Sequence, residues 1–226
     1  MELLPQTAAA LRRLGESSDV DLVAAVTRAG DRVASEVPSC LGFSYCLVAE
    51  ELTFTVIATS SETAAMDAAQ YLDDGPCLLA AREAGSVGVD DVLDEDRWEQ
   101  FAFTAAEHGV RSSLSLPVLG DGGLVGTVNF YAARPGAFVG HEAQLAAIVG
   151  ASAHGAISNA DLSFRSLDDA AGAPARLEDL AVVDHAIGAL ARSRRIGIEE
   201  ARAVLHSAAE RAGVADAEVA RSLVQM

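Results

Sequence analysis

The chain has 226 residues, of which half are hydrophobic and 22% are charged, and its formal net charge is −17. This composition excludes a disordered chain, a disulfide-stapled miniprotein and a collagen-like repeat, and the length allows a domain of about 150 residues with a smaller companion. No apolar run approaches the roughly 20 residues of a membrane helix, and the arginines near the N-terminus follow the apolar stretch, unlike those of a secretory signal. We therefore expect a cytoplasmic protein without membrane attachment.

The basic residues are all arginine and are unevenly distributed. Residues 1–175 hold 9 arginines against 25 acidic residues, a net charge of −16, whereas residues 176–226 hold 7 against 8, a net charge of −1. A negative field repels nucleic-acid phosphates. Any contact with nucleic acid is therefore expected in the C-terminal segment.

The first part of the chain alternates between helical and strand patterns. Apolar residues that recur near the 3.6-residue period predict a helix over 19–37. Two runs rich in β-branched and aromatic residues, 42–49 and 52–59, flank an acidic turn and predict a hairpin. Further elements are predicted as helices over 62–71, 77–83 and 97–108 and as a short strand over 86–90.

A second hairpin follows these helices. Apolar and polar residues alternate from Ser113 to Val118, a glycine-containing turn comes next, and another strand is predicted over 124–132. Because proline cannot donate a backbone hydrogen bond, Pro117 predicts an edge or a bulge in its strand. A long helix over 141–160 completes an α+β architecture, an antiparallel sheet with helices packed on it.

The last part of the chain has only helical patterns. Residues 161–175 are mostly small and polar and include Gly172 and Pro174, which indicates a linker or helical joint. Beyond it, the pattern predicts three helices with short turns, over 177–195, 198–212 and 216–224. The first has a seam typical of a coiled coil. The residues of this predicted dimer seam are Leu180, Val183, Ile187 and Leu190.

Several central segments together resemble one family. They are Gly75–Leu78 with Ala81–Glu83, Asp91–Trp98, Gly109–Leu114, Leu116–Val118 and Leu124–Tyr131. They resemble the GAF domains of actinobacterial regulators. The resemblance implies an antiparallel sheet of six or a similar number of strands, flanked by helices, that holds a small-molecule pocket or serves in dimerisation. The candidate lining residues of such a pocket are Tyr71, Trp98, Phe101, Asn129 and Tyr131.

The tail resembles a second family. Val183–Leu190, Ile198–Ala201 and Val204–Leu205 look like an ANTAR domain, the three-helix RNA-binding module of transcription antiterminators. The combination of the two domains implies a homodimeric regulator that binds paired RNA hairpins in nascent transcripts and prevents terminator formation. The implied domains are an N-terminal tail (1–17), a GAF domain (18–160), a linker or joint (161–175) and an ANTAR domain (176–226).

The RNA contacts implied by this resemblance need arginines on an exposed helical face, where they can bind phosphates and stack on loop bases. The candidates are Arg192, Arg194, Arg195, Arg202 and Arg211. The tail departs from the ANTAR pattern at Leu180 and Ile187, which stand at usually basic positions. This leaves an alternative open, a dimeric sensor or interaction protein whose tail does not bind RNA.

The residues that could carry catalysis form no recognisable motif. Cys40, Cys46 and Cys77 include no CxxC pair, and the five histidines lack ligand spacing, so neither a disulfide framework nor a metal site is expected. Cys77 stands at a predicted helix start, where a thiol pKa can be lowered. One group of GAF proteins reduces free methionine sulfoxide with cysteines, which is a further alternative. The prediction is a non-enzymatic protein with no catalytic residue and no cofactor.

Overall fold

The computed structural model describes residues 12, 21–49, 52–120, 123–164 and 177–224. These residues form a five-stranded antiparallel sheet with helices on both faces, and a three-helix tail packs beside it. In chain order the elements are α1 (Leu22–Glu36), β1 (Cys40–Ala49), β2 (Leu52–Ala58), α2 (Ser61–Asp73), α3 (Pro76–Glu83), β3 (Val87–Val89), a 3-10 turn (Val92–Asp94), α4 (Glu99–Glu107), β4 (Ser112–Gly120), β5 (Gly123–Ala132), α5 (Glu142–Phe164), α6 (Leu177–Arg194), α7 (Ile198–Ala212) and α8 (Asp216–Val224). The antiparallel sheet with flanking helices is confirmed.

The first helices begin where the sequence supplies a cap. Asp21 accepts a hydrogen bond from Ala24 N (3.0 Å) at the start of α1. Ser60 and Thr63 form a capping box at the start of α2. Pro76 occupies the first turn of α3, where the backbone N–H that proline lacks would have no partner within the helix. Local chemistry therefore sets these boundaries, which explains their agreement with the predicted ranges.

The strands lie in the order β2-β1-β5-β4-β3, and each neighbouring pair is antiparallel. Both predicted hairpins, β1–β2 and β4–β5, are confirmed. Strand β4 is not at the edge of the sheet, but its neighbour β3 pairs only with residues 113–115. Pro117 therefore lies beyond the end of β3, and a bulge follows it between Val118 and Leu119.

The sheet has one apolar face and one polar face because residue types alternate along its central strands. The apolar face packs against α1 and α5. Its central side chains are Phe43, Tyr45, Leu47, Leu114, Leu116, Val128 and Phe130. The other face lies under α2 and α3 and carries Ser44, Cys46, Ser113, Ser115, Thr127, Asn129 and Tyr131. The polar chemistry of the sheet is thus held between the sheet and two helices.

The tail forms a compact unit against α2. Its three helices surround an apolar core, to which α2 contributes Ala68, Tyr71 and Leu72. Helix α5 continues to Phe164, whereas residues 165–176, which include most of the predicted linker, and nearly all of the predicted N-terminal tail lie outside the described residues. Within the described ranges, none of the helices combines the length and hydrophobicity that a membrane span needs.

Candidate functional site

The polar face of the sheet surrounds a buried carboxylate from α2. Asp67 is fully buried, and its carboxylate accepts hydrogen bonds from Tyr131 Oη at 2.6 Å and from Asn129 Nδ2 at 3.0 Å. It also accepts from Thr55 Oγ1 at 2.9 Å. Because the tyrosine and the asparagine lie on central strand β5 and Thr55 lies on edge strand β2, one side chain of α2 links the middle of the sheet to its edge.

Two buried thiols extend this network. Cys46 Sγ lies 3.7 Å from Asp67 Oδ2 and accepts a hydrogen bond from Tyr71 Oη at 3.4 Å. Cys77 Sγ lies 3.1 Å from Thr127 Oγ1, at the start of α3. We call the connected set the polar cluster: Ser44, Cys46, Thr55, Asp67, Gln70, Tyr71, Cys77, Ser115, Thr127, Asn129 and Tyr131.

Burial in the polar cluster favours the protonated, uncharged form of its titratable side chains. Burial raises the pKa of Asp67 because the ionised carboxyl loses its water, and the hydrogen bonds from Tyr131 and its other neighbours oppose this only in part. These hydrogen-bonding neighbours are uncharged. The pKa of Cys46 is also well above its ordinary value, chiefly through burial and then through Cys77 and the charge of Asp67.

A cleft of about 190 Å³ leads from the surface to one member of the cluster. It lies between the start of α2 and the segment after α4, and its lining includes Thr63, Met66, His108 and Tyr131. Because Tyr131 also donates to Asp67, its ring separates this cleft from the buried carboxylate. A small molecule in the cleft would reach the cluster at Tyr131 first.

The predicted pocket residues divide into two groups. Tyr71, Asn129 and Tyr131 all belong to the polar cluster. Trp98 and Phe101 are also buried, but they pack in an apolar core with residues of α2, α3 and β3, to which the ring of Tyr131 also belongs. The structure therefore brings together the three polar candidates, and Tyr131 joins them to the apolar core of the two other aromatic candidates.

Sequence reasoning missed the centre of the site. Asp67 and Gln70 were not singled out, although both stand in the alanine-rich helix α2. In this helix the carboxylate and the amide stand among alanine and methionine residues. Such a position predicts that both side chains are buried and hydrogen-bonded, because charged side chains are rarely buried without partners. The sequence contains that signal, but it does not identify the partners of Asp67 and Gln70, which come mainly from strands that are distant in sequence.

The predicted RNA-contact arginines also divide into two groups. Arg192, Arg195 and Arg202 are exposed, and Arg194 is partly buried. Arg202 forms an ion pair with Asp184 (3.1 Å) within the tail. The fifth candidate, Arg211, does not share their surface position.

Arg211 is used inside the chain. Its Nε donates to the carbonyl oxygen of Thr53 on β2 at 2.9 Å, and its guanidinium lies 4.4 Å from the centroid of the Tyr71 ring. Burial lowers the pKa of this guanidinium. In this structure the side chain of Arg211 therefore connects the tail to the sheet, and its assignment as an RNA contact stays a prediction.

The predicted dimer seam is likewise buried inside one chain. Val183, Ile187 and Leu190 are all less than 10% exposed, in the core that the tail shares with α2. The side chain of Leu180 lies outside the described residues. The spacing of apolar residues along α6 predicted that this face of the helix is covered. The elements that cover it are helices of the same chain. These three residues are therefore covered within one chain, and their role as a dimer seam stays a prediction.

The thiols should be chemically inert in the folded protein. Cys46 and Cys77 are fully buried, and burial raises the pKa of Cys40 to about 12. Since alkylation requires an accessible thiolate, we expect iodoacetamide at about pH 8 to leave all three unmodified, and to modify all three in denaturant. Mass spectrometry of the intact protein measures this. Rapid modification of Cys46 or Cys77 in the native state would contradict it and favour the thiol reductase alternative.

Comparison with protein families gives one match over most of the chain. A model described as a GAF domain matches residues 2–158. No curated protein matches the sequence. In the part of the chain that the structure describes, no group of three His, Cys, Asp or Glu side chains could hold a metal ion.

The solved structures that match this chain include three of low sequence identity. One is a domain of a putative two-component sensor histidine kinase from Sinorhizobium meliloti 1021, with 17% identity over 67% of this chain and 99% of that chain, at a TM-score of 0.46. Another is the GAF domain of an Acinetobacter phosphoenolpyruvate-protein phosphotransferase, with 14% identity over 72% and 99% and a TM-score of 0.42. The third is a type II free methionine-R-sulfoxide reductase from Thermoplasma acidophilum, with 17% identity over 59% and 91% and a TM-score of 0.44.

Proposed function

The chain belongs to the GAF domain family, a sensory or dimerisation fold, and from this premise we propose that it is an RNA-binding regulator of transcription antitermination. Its GAF domain supplies signal input or dimerisation, and its three-helix tail, which resembles an ANTAR domain, contacts RNA hairpins. The observation that carries the proposal is the arginine group at the end of α6, where Arg192 and Arg195 are exposed.

The arginine group has the chemistry that hairpin loops require. A guanidinium binds phosphate through two parallel hydrogen bonds and also stacks on an unpaired base. Arg192, Arg194 and Arg195 stand within four consecutive positions at the C-terminal end of α6, and Arg202 follows on α7. In a homodimer, two such tails would offer two sites to a pair of hairpins.

The polar cluster is the proposed input site of the GAF domain. Ser113 supports this role because its buried hydroxyl has no hydrogen-bond partner among the described residues and stands opposite Tyr131 in the β4–β5 register. An unpaired buried hydroxyl is costly, so a polar ligand that reached it would supply the hydrogen bond that the described residues do not. A ligand entering by the cleft would shift the population of conformations in which Tyr131 closes the cluster.

Titration of the full chain with a double-hairpin RNA tests the RNA role. We expect Arg192→Ala/Arg194→Ala/Arg195→Ala to weaken binding at least about 100-fold, because charge-assisted contacts each contribute about 1.5 kcal/mol or more. The slope of log affinity against log salt should fall by about 2, which corresponds to three lost phosphate contacts on single-stranded RNA.

The matched control is Arg28→Ala/Arg32→Ala/Arg134→Ala. It removes the same number of positive charges from exposed positions outside the tail. We expect this variant to bind RNA nearly as the native chain does. Equal losses in both variants would mean that only overall charge matters, and no binding by the native chain would favour the sensor or interaction protein without an RNA role.

A further inference from the structure

The tail is attached to the GAF domain at a defined surface. Helix α7 lies beside edge strand β2 and helix α2, and Gly213 at its end lies against the backbone of Thr55. The apolar contact is made by Ala68, Tyr71 and Leu72 of α2, which share one core with the tail helices. The tail therefore covers an edge of the sheet that would otherwise be open to solvent.

Arg211 of the tail makes polar contacts with two residues of the GAF domain at this surface. Its Nε satisfies the outward carbonyl of Thr53, and its guanidinium stacks on Tyr71. A cation placed over a desolvated aromatic ring is attracted by the π electrons. A hydrogen bond from a charged guanidinium to a carbonyl oxygen is also stronger than one between neutral groups. Removing this side chain would leave the edge carbonyl without its donor.

Tyr71 connects this contact with the polar cluster. Its hydroxyl lies 2.9 Å from Thr55 Oγ1 and donates to Cys46 Sγ at 3.4 Å, while the face of its ring carries the guanidinium of Arg211. A rearrangement of the cluster that moves this hydroxyl must also move the ring. The tail contact therefore depends on the state of the cluster.

Electrostatics make the docked arrangement unfavourable for RNA. Residues 1–175 carry a net charge of −16 and the tail a net charge of −1. Phosphates approaching the docked tail meet the negative field of the neighbouring domain, which salt screens only beyond a Debye length of about 8 Å. A tail that moves away from the GAF domain would lose that repulsion.

We infer that Arg211 is a latch that holds the tail in a closed state with low RNA affinity, and that Tyr71 links this latch to the polar cluster. The inference rests on the proposed function for its RNA part. Its structural part, the contribution of Arg211 to the docking of the tail, can be measured without RNA. In the closed state Arg211 is occupied by Thr53 and Tyr71, so opening precedes full RNA binding.

Hydrogen exchange measured by mass spectrometry on the full chain tests the structural part. We expect Arg211→Ala to raise the exchange of amides in β2 and α7 about tenfold, because a cation–π contact and a charge-assisted hydrogen bond are lost. The matched control is Arg202→Ala on the same helix, whose ion pair with Asp184 stays within the tail. It should leave β2 unchanged. Continued protection of β4 and β5 verifies that each variant is folded.

The double-hairpin RNA titration tests the functional part with the same two variants. The latch predicts opposite effects: Arg211→Ala raises RNA affinity about tenfold, whereas Arg202→Ala lowers it. A loss of affinity in both variants would overturn the latch and make Arg211 an ordinary contact. Unchanged exchange in Arg211→Ala would overturn it as well. Raised exchange with no RNA binding by any variant would support the latch and contradict the proposed RNA function.

Discussion

Replacement of Asp67 by alanine is expected to lower the free energy of unfolding by about 3 kcal/mol or more. The substitution leaves Tyr131, Asn129 and Thr55 as donors without their acceptor, in a place that water does not reach. Urea denaturation followed by the fluorescence of Trp98, the single tryptophan, measures this, since its side chain is buried in the GAF domain. A loss below about 1 kcal/mol would mean that the donors find other partners.

Asp67→Asn is the matched control for shape. The amide keeps an acceptor oxygen for Tyr131 and Asn129, and its nitrogen can donate to the hydroxyl of Thr55. We therefore expect this variant to lose no more than about 1.5 kcal/mol at neutral pH. A loss as large as that of Asp67→Ala would show that the cluster needs a carboxyl group rather than an acceptor of the same shape.

The asparagine variant also has a distinct pH dependence. The pKa of Asp67 is raised in the folded chain above its ordinary value of 3.8, so the folded state binds this proton more tightly than the unfolded state does. The stability that the protonated carboxyl provides is complete below the unfolded pKa and is lost as the pH rises through the folded pKa. As the pH rises above about 4, the urea midpoint of the native chain should therefore fall relative to that of Asp67→Asn. A difference that is constant with pH would contradict the raised pKa.

Replacement of Gly126 by alanine is expected to destabilise the fold by about 3 kcal/mol. Gly126 lies on β5 between β1 and β4, and a Cβ there would overlap the carbonyl oxygen of Cys46 and come 2.7 Å from Ile157 Cδ1. The side chain of Ile157 can move, but the backbone carbonyl belongs to the adjacent strand. The central β1–β5 pairing must therefore open to accept the methyl group.

Gly88→Ala is the control for this variant. Gly88 is an exposed residue of β3, and a Cβ at this position meets no atom within 4 Å. Because alanine restricts the unfolded chain more than glycine does, we expect no loss, or a gain of about 0.5 kcal/mol. Urea denaturation of both variants makes the comparison. Similar losses at the two positions would show that a general cost of replacing glycine, and not the close approach to Cys46, explains the effect.

The elements were predictable wherever local chemistry decides them. Both hairpins follow from alternation and turn residues, and the three tail helices follow from apolar spacing that is interrupted at Gly197 and Gly213. The polar cluster was predictable in part, since Tyr71, Asn129 and Tyr131 were selected as polar groups near apolar surface. Trp98 and Phe101 were selected as apolar lining, and they lie in an apolar core that meets the cluster at Tyr131. An aromatic residue shows burial in the sequence but not the identity of its neighbours.

What the sequence alone determined is the order and type of the elements, the polar alternation of the sheet and the acidic character of residues 1–175. Tertiary structure alone decided that Asp67 meets Tyr131 and Thr55, that the seam of α6 is covered by its own chain, and that Arg211 reaches Thr53. The physical reason is that periodicity along a helix or strand records which face is covered. The element that covers it comes from a distant part of the chain, and packing alone selects it.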